Sequence, residues 1–159
     1  MYKVKEFKDI PKKCEREISF MLHNYKKIDS LINERKNELI DSMEVTNSAY
    51  LKSIKSSKGN TLENVVHNFD TDYKIQRLKK WKKIINVLCS KLYDMENKYY
   101  FYLIHYKYFL NIDEEIIKEK MNLSSKKLKE IDVYIKWIIY QNAILEKLYK
   151  GGEEFWQNV

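Results

Sequence analysis

The sequence predicts an all-α fold, a long N-terminal helix followed by a helical bundle, and three observations carry that prediction. Glycine and proline are scarce: three glycines and one proline in 159 residues, where average usage of the pair is about 12%. A sheet of many short strands would need more turn residues than this. Apolar residues also recur at heptad spacing in two long stretches, the signature of amphipathic helices. Finally, 44% hydrophobic residues can build a core while 33% charged residues coat it. The same scarcity excludes function classes, because no glycine-rich phosphate loop or dinucleotide fingerprint can be written with Gly59, Gly151 and Gly152.

The first element is a helix over 11–43. Pro11 suits a first helical position with Asp9 upstream as a cap. Beyond it Cys14, Ile18, Met21, Tyr25, Ile28, Ile32 and Leu39 follow a heptad seam, with Arg35 its one polar step. Leu22 and Leu31 widen the stripe, which favours packing within a bundle over a two-stranded coil, with a homodimer seam as the alternative. From 44 to 69 the pattern weakens around serines and Gly59, so a loop-rich linker is expected, with an exposed loop at 55–60 and Val65, Val66 and Phe69 as anchors. A second helix is expected from about Asp70 to Tyr93, with Leu78, Trp81, Ile85, Leu88 and Leu92 at heptad spacing. It opens a helical domain over 70–150. The stretch 95–110 is dense in Tyr and Phe, which predicts rings packed between helices, with a base-stacking platform as the alternative.

The segment 113–138 reads as a helix-turn-helix. A short helix over 113–121 carries Ile117 and Met121, Leu123 plugs a turn, and Leu128 and Ile131 face inward from the next helix. Asn122 stands where the turn needs a residue tolerant of the left-handed region, and Ser124 is a good N-cap. The outward face of the second helix then presents Ser125, Lys126, Lys127, Lys129 and Glu130. In a helix-turn-helix those positions enter the major groove, where lysine and serine contact base edges and glutamate accepts from cytosine. A plain helical hairpin has the same spacing.

Charge points the same way. Lys and Arg number 30 against 23 Asp and Glu, a net charge of +7. The surplus is densest at Lys74, Arg77, Lys79, Lys80, Lys82 and Lys83. Such a stripe suits the phosphates of double-stranded DNA, and it is equally what an ordinary solvated helix face carries. No apolar run approaches the length of a membrane span, and the start MYKVKEFKDI has no apolar signal region. Cys14 and Cys89 stand far apart, so no disulfide framework and a reducing, cytoplasmic location are expected. His23, His67 and His105 form no ligand pattern, and adjacent carboxylates such as Glu114 and Glu115 do not face each other. No catalytic residue, metal or cofactor is therefore assigned, and no enzyme activity is expected. In the tail 151–159, Phe155 and Trp156 either fold back on the core or offer a hook to a partner.

The run YYFYLIHYKYFLNIDEEIIKEKMNLSSKKLKEIDVYI resembles promoter-recognition region four of bacterial sigma factors. In layout the whole chain resembles the phage regulators of late transcription of the RinA and ArpU type. The family's usual small alanine aligns with Lys118 and its turn glycine with Asn122. The resemblance implies a DNA-binding transcription activator of phage or prophage genes, acting with RNA polymerase as partner. Two other readings stand beside it: the small subunit of a phage terminase, and a helical interaction or inhibitor protein whose positive charge addresses an acidic surface.

Overall fold

The computed structural model describes residues 10–50 and 58–149, the side chains of 44–50 and 58–62 excepted. The regular elements among the described residues are all helices, without strands. In order they form α1 (Lys12–His23), a 3-10 turn (Tyr25–Lys27), α2 (Ile28–Tyr50), α3 (Lys58–Thr71), α4 (Tyr73–Asp94), α5 (Tyr99–Leu103), a π-helical segment (Ile104–Phe109), α6 (Glu114–Met121) and α7 (Ser125–Leu145). No helix among them is long and apolar enough to cross a membrane.

The single helix expected over 11–43 is instead two. α1 stops at His23, and Asn24 doubles up on one carbonyl: its backbone N–H and its Nδ2 both donate to the Phe20 oxygen, at 3.0 and 2.8 Å. Asparagine competes with the helix through such local bonds, and the chain then tightens into the 3-10 turn. Heptad spacing survives the break, since Ile28 and Ile32 are still buried. That survival is why periodicity alone does not show it. The expected linker also differs. α2 continues to Tyr50 and α3 begins at Lys58, so 44–50 and 58–69 are helical; 51–57, most of the expected loop at 55–60, lies outside the described residues. Asp9 and the tail with Phe155 and Trp156 lie outside them too.

The chain divides into two compact units, parted at Lys26/Lys27 and again at Lys79/Lys80. Both boundaries expected from composition, after 43 and after 69, fall inside the second unit. That unit, 27–79, packs α2 against α3 and includes the start of α4. Arg35, the polar step in the apolar seam, has its reason here. Its Nε and Nη2 donate to the two oxygens of Asp72 at 3.2 and 2.9 Å. Asp72 precedes α4 and accepts from the Ile75 N–H at 3.0 Å, so one carboxylate both caps a helix and clamps α2 to it. The Arg35 guanidinium holds this carboxyl below the usual carboxylate range.

The first unit joins α1 to the remainder of α4 and the described residues that follow it, through 149. Its core is aliphatic around one tryptophan: Ile18 and Leu22 of α1, Trp81 and Ile85 of α4, Leu103, Ile104, Ile117, and Ile135 and Ile139 of α7 are fully buried. The Trp81 indole N–H donates to Glu17 at 3.0 Å, and Tyr149 donates to the other oxygen of the same carboxylate at 3.0 Å. The π-helical segment closes with the Leu110 N–H on the His105 carbonyl at 2.9 Å. Ile104 and Tyr108, four residues apart within it, are both buried. The surrounding rings pack on one another rather than vanish into the core: Tyr102 on Tyr106, Phe101 on His105 and Tyr25 on Phe109 are stacked pairs.

Candidate nucleic-acid interface

The pair α6 and α7 is joined by a turn whose backbone is fully accounted for. Asn122 adopts φ 50° and ψ 48°, the left-handed conformation. The Leu123 N–H donates back to the Lys118 carbonyl at 3.1 Å and the Asn122 N–H to Glu119 at 3.3 Å, the two bonds that close a helix with a Schellman turn. Ser124 then caps α7, its Oγ accepting from the Lys127 N–H at 3.2 Å. Ile117 and Met121 on α6, and Leu128 and Ile131 on α7, are buried; Leu123 is half-buried between them.

Lys118 takes an unexpected part in this turn. Its Nζ lies 2.7 Å from Glu115 and donates to the Ser125 Oγ at 2.9 Å. A long side chain thus spans the gap that a small residue would close by contact, with its stem along apolar surface and its head at the helix end.

Ser125, Lys126, Lys127 and Lys129 are exposed, and Glu130 is half-buried. Lys127 and Glu130 form a loose ion pair at 3.6 Å. Ser125, Lys126 and Lys129 instead border a cleft of about 760 Å³ between α1, the π-helical segment and the α6–α7 pair. Neither Lys126 nor Lys129 has an ion-pair partner among the described residues.

The mid-chain stripe is shared between the units. In the second, Lys74 and Lys79 are exposed, and Arg77 donates to the Tyr73 hydroxyl at 3.2 Å. In the first, Lys82 is half-buried and engaged. Lys80 donates to the Glu146 carbonyl and Lys83 pairs with the Glu146 carboxylate, both at 3.0 Å. Those two cations therefore serve the C-terminal end of α7, where they complement the helix dipole. At 1.5 Å per residue, that end is about 30 Å along the axis from Lys126.

A polar cluster lies beneath the cleft, and none of the sequence-based expectations includes it. Asp132 is 7% exposed; it accepts from the Tyr108 hydroxyl and pairs with Lys107 at 3.1 Å and Lys136 at 3.3 Å. Lys136 also approaches Glu15 at 3.5 Å. Burial, and then the Asp132 charge, push the Tyr108 phenol well above its ordinary pKa, so it remains a donor. His23 meets the Tyr108 ring edge-on with centroids 4.8 Å apart, and burial followed by Lys107 and Lys136 hold its pKa down. One sequence signal could have found the cluster: Asp132 sits in the inward series Leu128, Ile131, Ile135, Ile139, and a carboxylate at such a position requires a partner. Among the described residues no group of three or more His, Cys, Asp or Glu is placed to hold a metal ion, and Cys14 and Cys89 form no disulfide. The chain matches no protein-family model, no curated protein and no solved structure.

Proposed function

We propose that the protein is a sequence-specific DNA-binding regulator of transcription that reads bases with the first turns of α7. The observation that carries this reading is the α6–turn–α7 unit. A left-handed Asn122, a capped helix start and a buried inner face present Lys126 and Lys129 to solvent with no ion pair among the described residues. Helix starts of this kind place side chains against base edges when the helix enters the major groove. Ser125, Lys127 and Glu130 complete the reading set. Lys127 and Glu130 must exchange their mutual contact for DNA, which is a small cost for a loose surface pair.

Phosphate contact is assigned to the stripe Lys74, Arg77, Lys79, Lys80, Lys82 and Lys83, with Lys74 and Lys79 its most available members. Lys80 and Lys83 must leave Glu146 to take part. The resemblance to sigma region four supports the finer reading, an activator of phage or prophage late genes working through RNA polymerase. A binding-site selection on random duplexes tests the proposal. An enriched motif that changes in the Lys126→Ala variant supports it, and failure to enrich any motif counts against it.

A further inference from the structure

Ser125, Lys126 and Lys129 border the cleft described above, whose other walls have no part in base reading. The floor is apolar, formed by Leu103, Ile112, Ile117 and Leu128. Asp132 at its base is already matched by Lys107, Lys136 and the Tyr108 hydroxyl. The charges left over are two acids, Asp113 and Glu114, and two bases, Lys126 and Lys129. The acids open α6, where the positive end of the helix dipole offsets them. The two lysines have no such offset, because they sit in the first turns of α7 and share its positive end. A volume of about 760 Å³ is in the range of pockets that enclose small organic ligands.

We propose that this cleft binds a small organic anion with an apolar body and a single negative charge, its head against Lys126 and Lys129 and its body in the cleft against the half-buried Ile112, in front of the buried Leu103, Ile117 and Leu128. Asp113 and Glu114 select against polyanions, since a nucleoside triphosphate would set further negative charge on two carboxylates. The regulatory consequence rests on the DNA-binding reading. An occupied cleft engages lysines assigned there to bases, so ligand and DNA compete.

The test uses decanoate as the probe on the full, isotope-labelled chain, followed by amide chemical shifts. Acetate lacks the apolar body, 1-decanol lacks the charge, and ATP supplies the polyanion. Decanoate is expected to move the amides of Ile112, Ile117 and Leu128 saturably, while acetate and ATP at the same concentration leave them in place. The exposed pair Lys126→Ala with Lys129→Ala, checked for intact helicity, is expected to weaken decanoate binding roughly fivefold and leave 1-decanol unchanged. Shifts confined to other surfaces, a double variant that binds decanoate as tightly as the parent, or ATP binding in preference to decanoate each overturn the proposal. A gel shift on a selected duplex separates the two readings. Decanoate is expected to weaken the complex, and a complex indifferent to saturating decanoate overturns the competition. A protein that binds decanoate but no duplex overturns the DNA reading and leaves the ligand site standing.

Discussion

Three residues among those described take positive φ, and none is a glycine: Asn111 at 51°, Asn122 at 50° and Lys147 at 60°. Two of the three are asparagine, the residue that best tolerates this conformation after glycine, and the third, Lys147, closes α7. Asn122→Gly is therefore expected to leave stability unchanged or slightly raised. Asn122→Val is expected to cost on the order of 1 kcal/mol or more, because a β-branched side chain is strained there. Melting temperatures of the two variants check this, and equal values contradict it. Asp72 tests a different single-residue device. Asp72→Ser keeps a cap but removes the Arg35 clamp, whereas Asp72→Ala removes both. The order of melting temperature should be parent, then Ser, then Ala, with removal of the cap lowering it by about 2–4 °C in a chain of this size. Because the folded pKa of Asp72 is depressed, its contribution is present above the ordinary carboxylate pKa and disappears as pH falls through the folded value. The parent should thus lose more stability on acidification than Asp72→Ala does, a difference that thermal melts at descending pH will register.

At the level of elements, α7 shows what periodicity reveals and what it hides. The inward positions Leu128 and Ile131 and the cap at Ser124 were legible, because burial and capping leave local patterns in sequence. The partners of Asp132 were not. Lys107 and Tyr108 lie 24 or more residues away on a π-helical segment, and an inserted residue in a helix leaves no periodic trace of which side chains turn inward. The break after His23 was hidden for the opposite reason: Asn24 interrupts hydrogen bonding while the heptad register runs on unchanged. Asp132 fixes α7 to the π-helical segment through the Tyr108 hydroxyl, so Tyr108→Phe is expected to lower stability by about 1–3 kcal/mol, the cost of leaving a buried acceptor one donor short. Asp132→Ala should cost more, since it leaves Lys107 and Lys136 facing each other without their shared anion. Urea unfolding of both variants checks the order, and the reverse order would show that the carboxylate is not the anchor.

Across the whole molecule the all-helical class was readable from composition, because scarcity of glycine and proline limits how often a chain can turn. The division into units was not, because the boundary falls within the continuous helix α4, between Lys79 and Lys80, where composition does not change. The basic stripe crosses that same boundary, so its six charges do not share one environment. If it meets phosphate, replacing Lys74 and Lys79 by alanine should weaken binding to all duplexes alike and flatten the salt dependence by roughly one unit of slope for each phosphate left without its lysine. A salt titration of affinity checks this, and an unchanged slope would make the stripe a solvated face. The central claim is that the first turns of α7 read bases, and the most direct measurement is a binding-site selection with the parent chain and with Lys126→Ala and Lys129→Ala. The account predicts an enriched motif for the parent and a changed or relaxed base at one position for each variant, with affinity there weakened by about 1–3 kcal/mol for a good bidentate pairing. An identical motif bound with parental affinity by both variants would contradict it.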